Sequence, residues 1–307
     1  IYMKDRLLEV CVADKKVGEL RQVDDQYLFK YTDVESLNPQ RDLVSLTMPV
    51  RHKDYDAQIL MPAFQLALPE GALLELIRKR FAKVMDVWND LNIIRMVGQN
   101  TIGRITFIDP HSANHKEPVG LLDVEDIDSI LNYPEGKQLF LEMLEAYGVF
   151  SGISGMQPKM LWQQVGGKIA IPTKNYILKA ASPEYPGLCV NEYFCLQVAR
   201  RSGLETPSAH LSHEGEILAV ERFDVVNGRR FAFEEMCALK HYPNHGKYEG
   251  SYEEIAEIIS KIPVVATAQA LASYFKMVAV SVMLKNGDAH LKNFGILYDD
   301  ISSVRLA

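Results

Sequence analysis

The sequence predicts an α+β fold of two lobes, in which a small β-rich N-terminal subdomain precedes a helical C-terminal lobe. Three observations predict it. The first 50 residues alternate as strands do, residues 168–223 contain further strands around one helix, and the chain is mostly helical from Ser251 onward. A chain of 307 residues is long enough for two such lobes.

Composition excludes several classes of protein. Hydrophobic residues make up 48% and charged residues 24%, which are ordinary values for a soluble globular chain. No apolar run is long enough to cross a bilayer and no leader opens the chain, so we expect a cytoplasmic protein without membrane contact. A net charge of −7 argues against direct binding to nucleic acid.

The N-terminal elements follow from local patterns. We predict strands over 9–13 and 26–31, with a turn at 14–16, and helices over 73–84 and 136–147. Farther along, the predicted elements are strands over 168–171, 175–179, 208–212 and 217–223, a helix over 190–201, and turns at 214–215 and 227–228.

The most informative segment is 286–293, an Asn-Gly-Asp-Ala-His-Leu-Lys-Asn loop between two apolar runs. Asp288 precedes Asn293 by five residues, the interval that protein kinases use in their catalytic loop. There the aspartate orients the attacking hydroxyl and the asparagine holds magnesium on the ATP phosphates. The alternative is a solvated Asn-Gly-Asp turn.

Two further segments could bind phosphate. Residues 151–159 are rich in small residues, so their backbone N–H groups could surround phosphate oxygens, although an ordinary turn also fits. Lys179 ends an apolar strand and could neutralise phosphate, with Glu192 as its ion-pair partner. The alternative for Lys179 is an edge-strand lysine that prevents aggregation.

Residues 220–224 join the two apparent halves and could offer backbone groups to adenine, with Phe223 against the ring; a strand that leaves its sheet fits as well. Asp299 and Asp300 lie where a hairpin needs its turn, and we assign them to that turn.

The order of these segments matches that of a protein kinase: small-residue loop, lysine-bearing strand, helix, connecting segment and catalytic loop. We therefore predict a kinase-like fold with three parts. They are an N-terminal subdomain with connecting helices (1–110), an N-lobe with phosphate loop and hinge (111–225), and a helical C-lobe (226–307) that is cut short.

Over nearly its whole length the chain resembles the HipA-type serine/threonine kinases, the toxins of bacterial HipBA toxin–antitoxin modules. The resemblance rests on residues 286–294, 219–224, 191–196 and 155–159, and on the Phe-Gln-Leu-Ala-Leu-Pro-Glu-Gly segment at 64–71.

The resemblance implies ATP and Mg²⁺ as cofactors, with Asp288 catalytic and Asn293 a metal ligand. The positions that it implies for ATP binding are Ser154, Gly155, Met156, Gln157, Lys159, Lys179, Glu221, Arg222, Phe223, His290, Lys292 and Asn293. It also implies autophosphorylation of a loop serine, which would shut the enzyme off because a charge of roughly −2 beside bound phosphates is repelled.

Two departures bear on these expectations. The family's regulatory serine falls on Gly152, so Ser151 or Ser154 is the candidate here. The family's second metal-binding aspartate is expected beyond Ala307, and we expect the 307 residues alone to be inactive.

The partners implied by the resemblance are a HipB-like DNA-binding antitoxin, with DNA contacted only through it, and a protein substrate such as an aminoacyl-tRNA synthetase. Two alternatives stay open: a catalytically silent kinase-fold partner that acts as co-repressor, and an ATP-dependent small-molecule kinase.

Overall fold

The computed structural model describes residues 7–69, 89–98, 101–111, 127–132, 168–172, 176–181, 186–263 and 265–307, with single residues at 74 and 78. Both single residues, Leu74 and Arg78, are helical. The rest of the helix expected at 73–84, and the whole of the one at 136–147, lies outside these ranges. Among the described helices, none combines the length and apolarity that crossing a membrane requires.

The chain divides into two compact units. The first contains residues 1–68, 89–112 and 224–307, and the second contains residues 69–88 and 113–223. The chain passes from one unit to the other between Phe223 and Asp224, inside the segment that we expected to join two halves. The units cut across the three consecutive segments proposed above, because the N-terminal strands share a unit with the C-terminal residues.

The first unit begins with a five-stranded antiparallel sheet of order β4-β3-β2-β1-β5. Its strands and the two helices that accompany them are β1 (Leu7–Val12), β2 (Lys15–Val23), β3 (Gln26–Tyr31), β4 (Tyr55–Ala57), α1 (Pro62–Gln65), α2 (Asp90–Val97) and β5 (Ile105–Ile108). The strands expected near 9–13 and 26–31 are confirmed.

The turn expected at 14–16 is displaced, because residues 15 and 16 belong to strand β2. Ala13 and Asp14 make the turn with φ angles of 47° and 66°, and β2 starts at Lys15. The charged residues suggested a loop. Lys16 nevertheless lies in β2, where its side chain is exposed and forms an ion pair with Glu9 on β1 at 2.6 Å. Cross-strand pairing of opposite charges therefore accommodates the lysines within the sheet.

Aromatic side chains fix α1 against this sheet. Phe64 of α1 contacts Phe29 edge-to-face at 5.1 Å and Phe107 at 5.6 Å, and all three are essentially buried. Burying one such side chain contributes about 1.5–3 kcal/mol. The segment at 64–71 thus begins with the anchor of α1, and the adjacent Gln65 is held in place with it.

The second unit contains a four-stranded antiparallel sheet of order β6-β7-β9-β8. Its described elements are α3 (Ile127–Leu131), β6 (Lys168–Pro172), β7 (Tyr176–Ala181), α4 (Leu188–Arg201), β8 (Ala209–Leu211) and β9 (Ile217–Glu221). Each strand predicted in this region is confirmed, as is the helix. Since β7 lies between β6 and β9, Lys179 is on an interior strand, and the edge-strand reading of it is wrong.

The C-terminal part of the first unit packs helices against a three-stranded sheet of order β12-β13-β14. Its elements are β10 (Val225–Val226), β11 (Arg229–Arg230), β12 (Ala232–Glu235), α5 (Met236–Leu239), α6 (Tyr252–Lys261), α7 (Thr267–Met283), β13 (Gly295–Tyr298) and β14 (Arg305–Leu306). Ser251 caps α6 in a capping box with Glu254. The expected hairpin is confirmed, and Asp299 and Asp300 lie in its turn, where their N–H groups donate to Ser303.

Candidate active site

The loop predicted to be catalytic begins where α7 ends. Lys285 adopts the left-handed region (φ 55°), and the N–H of Asn286 returns to the carbonyl of Ser281 at 2.9 Å. The Asn286 side chain then accepts the backbone N–H of Asp288 at 3.1 Å, a local turn typical of asparagine. The left-handed Lys285 keeps the helix from continuing, and the turn at Asn286 presents the Asp288 side chain, which is 71% exposed.

Asp288 and Asn293 come together as their spacing predicted. The side-chain Nδ2 of Asn293 donates to the backbone carbonyl of Asp288. A short 3₁₀ turn, Leu291–Asn293, makes this possible, and the buried Leu291 attaches it to the core. An amide that donates through its nitrogen keeps its carbonyl oxygen as an acceptor, which is the atom that a hard cation would use.

His290 lies next to the Asp288 carboxylate with its side chain 8% exposed. Its Nδ1 accepts the backbone N–H of Lys292 at 3.2 Å, so in the neutral ring the proton is on Nε2. Nε2 is 3.5 Å from Asp288 Oδ1. The Nε2–H of His290 therefore faces the Asp288 carboxylate.

Tyr248 completes the surroundings of Asp288, and sequence reasoning missed it. Its hydroxyl donates to Asp288 Oδ1 at 3.2 Å, and its ring packs edge-on against His290 at 4.9 Å. The residue is nevertheless 65% exposed. Both neighbours contact Oδ1, and among the described residues no hydrogen bond reaches Oδ2, the oxygen that an incoming hydroxyl could use.

Lys292 makes contacts other than the one predicted for it. Its ammonium lies 3.2 Å from Glu235 Oε2 and donates to Asn244 Oδ1 at 2.8 Å. The lysine side chain is 8% exposed and that of Glu235 is 11% exposed. In this arrangement Lys292 joins the loop to β12, and its role in ATP binding stays a prediction.

The other predicted cation, Lys179, lies in the second unit. Lys179 on β7 forms an ion pair with Glu192 on α4, as the sequence predicted, and the two side chains are 19% and 20% exposed. A lysine held by a glutamate of the following helix is the arrangement with which kinases position a phosphate-binding ammonium. Cys189, also on α4, is buried and donates to the Lys179 carbonyl at 3.5 Å.

The remaining predicted ATP contacts divide into two groups. Glu221 ends β9 and its N–H donates to the Ser208 carbonyl at 2.8 Å, while Arg222 is buried. Their adenine-binding role, with Phe223, stays a prediction. The phosphate-loop candidates and both candidate phosphorylation sites lie outside the described residues: Ser151, Ser154, Gly155, Met156, Gln157 and Lys159.

A buried polar cluster supports β12 and β13 beneath the loop. Glu234 accepts hydrogen bonds from Ser45 and from Leu46 N–H (2.8 Å) in the N-terminal part, and from Tyr298 on β13. Burial raises the pKa of the Glu234 carboxyl. Burial also raises the pKa of the Tyr298 hydroxyl, which therefore remains a donor. The cluster ties the N-terminal part of the first unit to the strand that follows the loop.

The donor set at the loop fits magnesium brought by a nucleotide. In the part of the chain described here, no three His, Cys, Asp or Glu side chains gather into a ready-made metal site. Magnesium, however, is commonly held by one or two protein oxygens together with substrate phosphates. The side-chain oxygens of Asn293 and Asp288 are of the type that it prefers.

Two family models match the chain. One described as the HipA-like C-terminal domain matches residues 151–307, more than half of the chain. Another, described as the HipA N-terminal domain, matches residues 8–108. These matches span the strands of the N-terminal sheet and the candidate catalytic loop.

Two curated relatives are similar to this chain over most of its length. Two proteins of Sinorhizobium fredii, Y4dM and Y4mE, carry names that assign them provisionally as kinases. Y4dM is 22% identical over 328 residues, covering 97% of this chain and 74% of the relative. Y4mE is 25% identical over 328 residues, covering 97% of this chain and 75% of the relative.

A solved structure shares the fold. It is a chain in the complex of HipA, HipB and operator DNA from the toxin–antitoxin system of Shewanella oneidensis. The superposition has a TM-score of 0.67 at 17% identity and covers 98% of this chain and 74% of that one. The protein described here has a kinase-like α+β fold and belongs to the HipA family.

Proposed function

We propose that the protein is a cytoplasmic, ATP-dependent serine/threonine protein kinase and the toxin of a toxin–antitoxin module. The observation that carries this proposal is the catalytic-loop geometry, in which Asn293 holds the backbone of Asp288 while the Asp288 carboxylate stays exposed. The ion pair of Lys179 with Glu192 supports it independently.

In the proposed reaction, a serine or threonine hydroxyl of the substrate attacks the γ-phosphorus of ATP. The new P–O bond forms as the bond to the β-phosphate oxygen breaks, and the hydroxyl proton passes to Asp288. His290 and Tyr248 hold Oδ1 of that carboxylate, which leaves Oδ2 for the proton. Magnesium, when bound, would neutralise phosphate charge, with Asn293 as a protein ligand.

Lys179 would bind phosphate oxygens, with its ammonium oriented by Glu192. The backbone of residues 221–223 would bind the adenine edge, and residues 154–159 would surround the phosphates. Phosphorylation of Ser151 or Ser154 would then expel that loop by repulsion from bound ATP. The identity of the protein substrate, with an aminoacyl-tRNA synthetase as one candidate, belongs to this proposal too.

Asp288→Gln tests the proposal in the full-length protein. Because glutamine keeps similar bulk but cannot accept the proton, transfer of radiolabelled phosphate from ATP should fall by about 10²–10⁴-fold. ATP affinity, measured by calorimetry, should change little. Asp56→Asn, on the exposed face of β4, is the matched control. Equal loss of ATP binding and transfer in Asp288→Gln would contradict the role given to Asp288.

A second role, as a partner of a HipB-like DNA-binding antitoxin, is favoured by the solved relative, whose structure includes HipB and operator DNA. Under this proposal Asp288→Gln should still strengthen operator binding by the antitoxin, measured by gel shift, although it transfers no phosphate. A wild-type chain that strengthens repression but never transfers phosphate would favour the silent co-repressor over the kinase.

A further inference from the structure

A continuous series of hydrogen bonds links the N-terminal part of the first unit to the candidate catalytic loop. It begins at Gln65 in α1, whose Oε1 accepts the backbone N–H of Asn244 at 2.6 Å. The Asn244 side chain donates back to the Gln65 carbonyl at 3.2 Å. Its Oδ1 accepts the Lys292 ammonium at 2.8 Å. Asn244 therefore connects α1 to the loop with both ends of its amide.

The first member of this series is rigidly placed. Gln65 is 5% exposed, and its Nε2 donates to the Leu60 carbonyl at 2.6 Å, so both ends of its side chain are hydrogen-bonded. Its neighbour Phe64 is packed against the aromatic side chains of the sheet. Gln65 thus presents a fixed acceptor to Asn244.

The last steps reach the catalytic carboxylate. The backbone N–H of Lys292 donates to His290 Nδ1 at 3.2 Å, and His290 Nε2 is 3.5 Å from Asp288 Oδ1. Asn293, the proposed magnesium ligand, is the next residue along the chain. A displacement of Lys292 would therefore move both the histidine that faces Asp288 and the amide that holds its backbone.

We propose that Gln65 and Asn244 are positioning residues that set the conformation of the catalytic loop through Lys292. Glu235 attracts the Lys292 ammonium, but an ion pair alone constrains direction weakly. The amide oxygen of Asn244 adds a directional contact, and rotating that amide would turn its NH₂ group toward the Lys292 ammonium and its oxygen toward the Gln65 carbonyl. The inference rests on the proposed kinase function for its catalytic consequence.

Four variants of the full-length protein test whether Gln65 and Asn244 position the catalytic loop. Asn244→Ala removes the contact with Lys292. Asn244→Asp keeps an acceptor oxygen for Lys292 but cannot donate to the Gln65 carbonyl, so it isolates the Lys292 contact. Gln65→Leu removes the side-chain oxygen that accepts the Asn244 N–H, while the Gln65 backbone carbonyl remains. Ser45→Ala is the matched control, because Ser45 is also buried and also bonds the N-terminal part to β12, through Glu234, without a described hydrogen bond to the loop.

Two readouts separate positioning from general stability. Hydrogen–deuterium exchange reports the order of residues 286–294 whether or not the chain is active. Exchange there should speed up by about tenfold or more in Asn244→Ala and Gln65→Leu, but not in Asn244→Asp or Ser45→Ala. In phosphoryl transfer, kcat should fall by about 10–100-fold in the first two variants while KM for ATP changes less than about threefold.

Each outcome decides something. Unchanged loop exchange in both Asn244→Ala and Gln65→Leu would overturn the proposal, as would equal loop exchange in Ser45→Ala. If the full-length wild-type protein transfers no phosphate, the proposed function fails, and exchange still decides whether Asn244 positions the loop. If the wild type is active and loop exchange rises without any change in kcat, the catalytic consequence is refuted.

Discussion

Replacing Lys292 with methionine tests whether this lysine is a buried structural cation or a phosphate ligand. Its ammonium lies 3.2 Å from Glu235, and the two side chains are 8% and 11% exposed. At an effective dielectric constant of about 20, the attraction at this separation is about 5 kcal/mol, and desolvation of the two ions offsets part of it. Methionine preserves the apolar stem but deprives the buried Glu235 carboxylate of the Lys292 ammonium.

Removing one partner of a buried pair typically costs about 3–5 kcal/mol. Because about a tenth of each side chain here still meets water, we expect a loss of about 3 kcal/mol in the free energy of unfolding, measured by urea denaturation. The double variant Lys292→Met/Glu235→Leu should recover most of that loss, since the carboxylate that lost the Lys292 ammonium is removed as well. Lys261→Met, which breaks an exposed pair with Glu257, should change stability by less than about 0.5 kcal/mol.

A structural role for Lys292 is refuted if Lys292→Met changes the free energy of unfolding by less than about 1 kcal/mol while it weakens ATP binding by about tenfold. That result would support the ATP contact that the family resemblance implied for Lys292. A double variant no more stable than the single one would also contradict the structural role, because the cost would then not come from the buried carboxylate.

Three further predictions concern the other contacts. Tyr248→Phe removes the hydroxyl that donates to Asp288 but keeps the ring, so kcat should fall by about 2–10-fold in steady-state assays while KM for ATP is unchanged. An unaltered kcat would contradict a role for this hydrogen bond in catalysis. Glu192→Gln should lower kcat/KM for ATP by about tenfold or more, because Lys179 loses its charged partner; full activity would show that Lys179 needs no orientation. Burial raises the folded-state pKa of Glu234, so its contribution to stability is complete below the unfolded pKa of about 4.3 and is lost as the pH rises through the raised value. Glu234→Gln should remove this loss from the pH dependence of urea midpoints, and an identical slope in the variant would refute the assignment.

Local sequence was sufficient for much of the site. Asp288 and Asn293 are five residues apart, a spacing visible in the chain, and the 3₁₀ turn Leu291–Asn293 brings the Asn293 side chain back to the Asp288 carbonyl. Lys179 and Glu192 are 13 residues apart on a strand and the next helix, an order that kinases share. In both cases the partners lie within one supersecondary unit, where periodicity is informative.

The contacts that could not be predicted from the sequence join residues far apart along the chain. Tyr248 is 40 residues from Asp288, and Gln65 is 179 residues from Asn244. No periodicity links such positions, because their meeting depends on how separate elements pack. The position of Lys292 illustrates the same limit: its place in a catalytic loop suggested phosphate, but the carboxylate of Glu235 on another element engages it.

The pairing of β1 with β5 affects how the protein emerges from the ribosome. Val12 of β1 pairs with Ile105, which is translated roughly 90 residues later. At about 5–20 residues per second, one side of β1 waits about 5–20 s for its neighbour. Until Ile105 is made, this side of β1 is an unpaired strand edge that can pair with another chain.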